Sequence, residues 1–204
     1  MVKNALIALV VILLLVFSYN VFFHASPVTN STPSGETIVC FGDSLTFGTG
    51  AGSDQSYPSR LSSLIGRDVI NSGIPGDKTA DGLKRLDRDV LAHNPRIVLI
   101  TLRGNDLMHD VPREEAFKNL EEIVEKIHRT GALVVVGGID VPLFDRGFDD
   151  AYEDLQRRTG CLLIPNVLKG LFGNHKLMAD QIHPNGEGYR IMAQRFHKAI
   201  EPYL

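Results

Sequence analysis

Apolar residues in this chain form three kinds of run, and each predicts a different element. The longest extends from Ala5 to Phe23, broken only by Ser18 and Asn20. As a helix rising 1.5 Å per residue it spans about 28 Å, close to the roughly 30 Å hydrocarbon core of a bilayer. Short apolar runs bounded by turn residues come next: Thr37–Cys40, Asp68–Asn71, Ile97–Leu102, Ala132–Val136 and Cys161–Ile164. They read as buried strands. Between them lie segments that read as helices: Tyr57–Ile65, Thr79 (as cap) to about His93, Pro112–Arg129, Phe148–Arg158 and Gly186–Ile200. The third has proline in its first turn and Gly131 just past its end, the expected asymmetry.

Strand and helix alternating over short links predict a parallel sheet covered on both faces. The fold class is therefore α/β, a three-layer α/β/α sandwich on a five-stranded parallel sheet in the flavodoxin-like order 2-1-3-4-5. Residues 1–26 are expected as a membrane anchor or signal segment, 27–35 as a polar linker, and 36–204 as the folded domain. Lys3 at the amino end predicts that end in the cytoplasm and the remainder outside. Cleavage wants small residues at −3 and −1, yet cutting after Ala25 or Ser26 would put Phe23 or His24 at −3. A retained inner-membrane anchor is favoured over a cleaved leader, which would leave the domain periplasmic or secreted.

With 44% hydrophobic residues, the chain can bury one sizeable core. A formal net charge of −3 offers no basic face, so no nucleic-acid partner is expected. Cys40 and Cys161 fall on strands that are not neighbours in this order, beyond the ~7 Å Cα limit for a disulfide. Both read as buried free thiols.

Candidate chemistry collects where strands end. Ser44, in Phe41-Gly42-Asp43-Ser44-Leu45, follows the first strand at the rim where open α/β sheets bind ligands. A serine there is a helix N-cap or a nucleophile. Asp180-Gln181-Ile182-His183 supplies the base and the orienting carboxylate that a nucleophile needs. His93, His128 and His197 lie in predicted helices, His24 in the leader, and His109 and His175 in loops without a carboxylate at that spacing, although Asp110 adjoins His109. Gly73 follows the second strand and Asn105 the third; each alone reads as a turn residue, yet both land on the edge that carries Ser44.

Taken together and in order, Gly42-Asp43-Ser44-Leu45, Asn71-Ser72-Gly73-Ile74, Gly104-Asn105-Asp106 and Asp180-x-x-His183 resemble the GDSL hydrolases. Within them they are similar to the SGNH subgroup, named for residues found here as Ser44, Gly73, Asn105 and His183. The resemblance covers about residues 37–204, and is nearest to the small bacterial periplasmic thioesterase/lysophospholipase and arylesterases. It implies a serine esterase acting on carboxylic esters or thioesters, with Ser44, His183 and Asp180 catalytic. The oxyanion hole would be the backbone N–H of Ser44 and of Gly73 and the side-chain amide of Asn105. Asp43 and Asp106 would bond loop amides and hold the nucleophile turn. No metal or organic cofactor is expected, since no second ligand cluster accompanies Asp180 and His183.

Other motifs are weaker. Gly48-Thr49-Gly50-Ala51-Gly52 lacks the spacing of a phosphate loop and reads as a flexible loop beside the site. Arg103 stands where relatives often carry glycine, and would bind a substrate carboxylate or phosphate, or pair with an acidic loop residue. Val141–Gly147 is expected to border the acyl pocket. Partners are an ester substrate and, through the leader, a membrane; oligomeric state is open. Alternatives are an O-acetyl esterase acting on envelope carbohydrate and a catalytically silent binding domain.

Overall fold

A computed structural model describes residues 27–140 and 148–204; the expected anchor and the loop expected to border the acyl pocket lie outside these. Five parallel strands, β1 (Thr37–Gly42), β2 (Val69–Gly73), β3 (Pro95–Thr101), β4 (Leu133–Gly137) and β5 (Leu162–Ile164), form one sheet in the order β2-β1-β3-β4-β5. Alternation along the strands divides the core. Ile38, Cys40, Ile97 and Leu99 face α2 (Tyr57–Ile65) and α7 (Gly186–Ile200), packing with Tyr57, Leu61, Met192 and Phe196. Val39, Phe41, Val98 and Ile100 face α3 (Thr79–Asp89), α5 (Arg113–His128) and α6 (Phe148–Thr159), where Leu86, Leu120 and Ile123 fill the other layer. Each fully buried Leu or Ile contributes about 1.5–3 kcal/mol of transfer free energy. Cys40 and Cys161 are buried free thiols, one in each layer.

Two short helices sit at strand ends: α1 (Ser44–Phe47) after β1 and α4 (Gly104–Met108) after β3. They place Ser44 and Asn105 on the carboxyl-end rim of the sheet. The helix expected from Thr79 to about His93 ends at Asp89. Val90 leaves helical geometry, and Leu91–His93 form a separate 3-10 turn.

The segment expected as a polar linker is instead docked on the domain. Thr29 N–H donates to the Gly160 carbonyl at 2.9 Å and Asn30 Nδ2 to the carbonyls of His128 and Ala132, each at 2.9 Å. Ser34 N–H reaches Gly131, Arg96 holds the Pro33 carbonyl, and Val28 packs on the core. All these partners lie at the amino ends of the strands, opposite the rim that carries Ser44.

Candidate active site

The turn after β1 is built around Asp43. Its Oδ1 accepts from Leu45 N–H at 3.0 Å, making Asp43 the N-cap of α1. Ser44 is therefore the first helical residue and its hydroxyl is left free of capping. Thr46, fully buried below, bonds the hydroxyls of Tyr57 and Thr101. Gly48, at φ 99°, closes α1 after one turn.

Ser44 Oγ lies 3.1 Å from His183 Nε2, and His183 Nδ1 lies 2.8 Å from Asp180 Oδ2. The second carboxylate oxygen of Asp180 accepts the backbone N–H groups of Ile182 and His183, each at 2.7 Å. Partial burial would raise the Asp180 carboxyl, but hydrogen bonds from the His183 backbone and ring and from Ile182 outweigh it and hold the group at about 2. An ionised partner at Nδ1 keeps the proton there, so Nε2 presents its lone pair to the serine hydroxyl. The i, i+3 pair stands on a tight turn joined by a Met178–Pro184 bridge and followed by α7, whose cap Asn185 accepts from Glu187 and Gly188 N–H.

Gly73 is the last residue of β2, paired with Gly42 of β1, not a turn residue beyond the strand. A Cβ here would fall on the backbone of Phe47, so only glycine lets α1 approach β2 this closely. Its N–H donates to Asn71 Oδ1 at 3.0 Å, a bond it must exchange to serve an oxyanion. Asn105 Nδ2 donates to the Asp77 carbonyl at 2.9 Å and makes a longer 3.4 Å contact with Asp43 Oδ2. The hydrogen on that longer contact is the one a developing oxyanion can take.

Asp43 and Asp106 are buried and hold amides, as their positions suggested. Asp106 accepts Thr79 N–H at 2.9 Å and Thr79 Oγ1 at 2.6 Å. Burial pushes the Asp43 carboxyl up to about 7; the Leu45 N–H draws it down, and the charges of Asp106 and Asp77 push it further up. Arg103 is 1% exposed, so its guanidinium does not face a substrate. It donates to Tyr152 Oη at 3.3 Å and to the Ile139 carbonyl at 3.2 Å.

Two site features had little sequence signal. The glycine loop expected to be flexible is packed under the triad: a Cβ on Gly50, whose φ is 92°, would lie 2.8 Å from Ala179 Cβ and 3.2 Å from His183 Cβ. Tyr189 Oη donates to Thr49 O at 2.8 Å and pins the same loop to α7. The second is Arg85, a cation on the buried face of α3. Helical spacing puts it beside Gly82 on the buried side of the helix, and a charge on a buried face is the one signal that could have found it.

A doubly covered parallel sheet with serine, histidine and aspartate in line at its carboxyl edge defines a hydrolase of the nucleophilic-serine class. Residues 40–191 match the GDSL-like Lipase/Acylhydrolase family, and the chain belongs to it. It is 31% identical over 185 residues to an arylesterase of Vibrio mimicus, covering 85% of this chain and 92% of that protein. It is 25% identical to the thioesterase 1/protease 1/lysophospholipase L1 of Escherichia coli K12, over 87% of this chain and 89% of that protein. The crystal structure of TesA superposes with a TM-score of 0.77 at 28% identity, covering 83% of this chain and all of that one. The chain is a GDSL/SGNH hydrolase of the serine esterase class.

Proposed function

We propose that Ser44 is the acylated nucleophile in hydrolysis of carboxylic esters or thioesters. The observation that carries this is the unbroken line Ser44 Oγ–His183 Nε2–His183 Nδ1–Asp180 Oδ2, at 3.1 and 2.8 Å. His183 takes the serine proton as Oγ attacks the carbonyl carbon, and Asp180 stabilises the imidazolium. The charge on the tetrahedral oxygen is met by the N–H groups of Ser44 and Gly73 and by the Asn105 amide, each such donor typically worth about 3–4 kcal/mol. Collapse of the intermediate passes the proton from His183 to the leaving oxygen or sulfur. Water then enters by the same route and releases the acid.

Apolar acyl or aryl groups are the substrates this rim suits. Phe47, Ile74, Met108 and Ile182 are large exposed apolar side chains; Ile74 and Ile182 lie within the second and fourth motif blocks, and Phe47 and Met108 two residues beyond the first and third. Side chains so placed gain up to about 0.8 kcal/mol per methylene that a substrate buries against them. The relatives bear the names arylesterase and thioesterase/lysophospholipase, which agrees. The same reading keeps the expected anchor of residues 1–26 and puts the domain outside the cytoplasm.

Two measurements test this. Ser44→Ala should abolish turnover and labelling by a fluorophosphonate while leaving the melting temperature near wild type; a variant retaining a tenth of the activity would remove Ser44 from the mechanism. Across p-nitrophenyl esters from acetyl to palmitoyl, kcat/KM should favour butyryl to octanoyl over acetyl by about tenfold, or about 1.4 kcal/mol. The reverse preference would point to an O-acetyl esterase, and failure to label would point to a silent binding domain.

A further inference from the structure

Helix α3 turns one cation towards the back of the site. Arg85 is 8% exposed, with its guanidinium 4.4 Å from the centroid of the Phe41 ring. Nη2 donates to the Gly42 carbonyl at 2.8 Å, Nη1 to the Ser72 carbonyl at 2.9 Å and Asp89 Oδ2 at 3.2 Å, and Nε to Asp77 Oδ2 at 2.6 Å. These acceptors are not scattered. Gly42 ends β1 two residues before Ser44, Ser72 immediately precedes Gly73, and the backbone carbonyl of Asp77 accepts the Asn105 amide at 2.9 Å.

We infer that Arg85 is a positioning residue for the oxyanion hole, fastening from behind the two strand ends that carry Ser44 and Gly73 and, through Asp77, the turn whose carbonyl holds the Asn105 amide. This rests on the reading of Ser44, Gly73 and Asn105 as that hole. The donors come from three separate strand ends, so their relative positions depend on what holds those ends together. A planar guanidinium, with N–H groups in a fixed fork, sets the relative positions of its acceptors. Donor geometry must hold to within about 0.5 Å for a transition-state bond to form at full strength. The Asp77 link is the most direct: Arg85 fixes the carboxylate, the Asp77 backbone follows, and its carbonyl aims the Asn105 amide. Lysine keeps the charge, but its compact ammonium cannot span the same acceptors.

The test is a double-mutant cycle on the enzyme with p-nitrophenyl butyrate. Arg85→Lys should lower kcat by at least about tenfold with KM within about twofold, because the loss falls on bonds formed in the transition state. Combined with Asn105→Ala, its cost should be clearly smaller than on the wild-type background, since part of its route has been removed. Asp77→Ala should lower kcat alone and cost nothing further beside Asn105→Ala. A side chain that only supports the fold would lower melting temperature and give multiplicative losses. Wild-type kcat, a loss confined to KM, or full additivity in the cycle overturns the inference. Should Arg85→Lys fail to fold, Asp77→Ala decides by the same criteria. The esterase reading fails separately, through an active Ser44→Ala variant, whatever the outcome at Arg85.

Discussion

Asp43 caps α1, the helix that opens with Ser44, with a carboxyl group that water does not reach. In the unfolded chain that group ionises near its ordinary value of 3.8, whereas in the folded protein burial holds the proton up to about 7. Between those values the folded state binds more protons than the unfolded state, so this group's contribution to stability falls as pH rises from about 4 to about 7. The full shift corresponds to something on the order of 4 kcal/mol. Asp180 has the opposite sign in a separate window: held at about 2, its contribution is present above 3.8 and is lost as pH falls through 2. In Asp43→Asn the Asp43 slope should vanish, so the difference in melting temperature between variant and wild type should move in the variant's favour from pH 4 to 7. Thermal melts across that range check it, and parallel curves would remove Asp43 as the source. That Ser44, His183 and Asp180 belong together was legible because hydroxyl, imidazole and carboxylate are distinctive residue types at strand ends and turns, and the structure brings the three side chains into line. Arg85 and Gly50 were not legible, since what they do depends on contacts with residues far away in the chain.

At the scale of elements, helices α3 and α4 are joined by one carboxylate. Asp106 in the first turn of α4 accepts both the N–H and the hydroxyl of Thr79, the first residue of α3, and so serves the amino end of a neighbouring helix. Thr79 was expected as the cap of its own helix. Lys78 holds that position, and Asp81 reaches back to its N–H. Asp106→Ala would strand a buried amide and a buried hydroxyl, each costing about 1–3 kcal/mol, and would remove a negative charge from a helix N-terminus. A loss of about 3 kcal/mol in urea unfolding is expected, with Asp106→Asn recovering part of it; a loss under 1 kcal/mol would mean that the pair contributes little. The five strands and five longer helices were readable from apolar runs, helical segments and turn residues. Helices α1 and α4, little more than one turn each, are too short to show a period, and they are the two that carry Ser44 and Asn105.

The whole molecule has two poles, and its N-terminal segment is fixed to one of them. Composition marked Pro27–Gly35 as a spacer because its residues are polar, but their polar groups find partners on the domain: Thr29 on Gly160, Asn30 on His128 and Ala132, Ser34 on Gly131. A free spacer of this length would let the active site meet the bilayer. A docked one holds it away, because the seven residues of β3 separate base from rim by about 23 Å. If residues 1–26 tether the chain, the base faces the membrane and Ser44 opens away from it. Esters dispersed outside the host bilayer, not lipids packed within it, are then the substrates within reach. The full chain, reconstituted in vesicles with acceptor-labelled headgroups, tests this with single fluorophores at Arg129→Cys on the base and Met108→Cys on the rim, the native thiols being buried. Energy transfer to the headgroups should be clearly stronger from the base. Equal transfer, or stronger transfer from the rim, would mean that the segment releases the domain and that the apolar rim lies against the lipid.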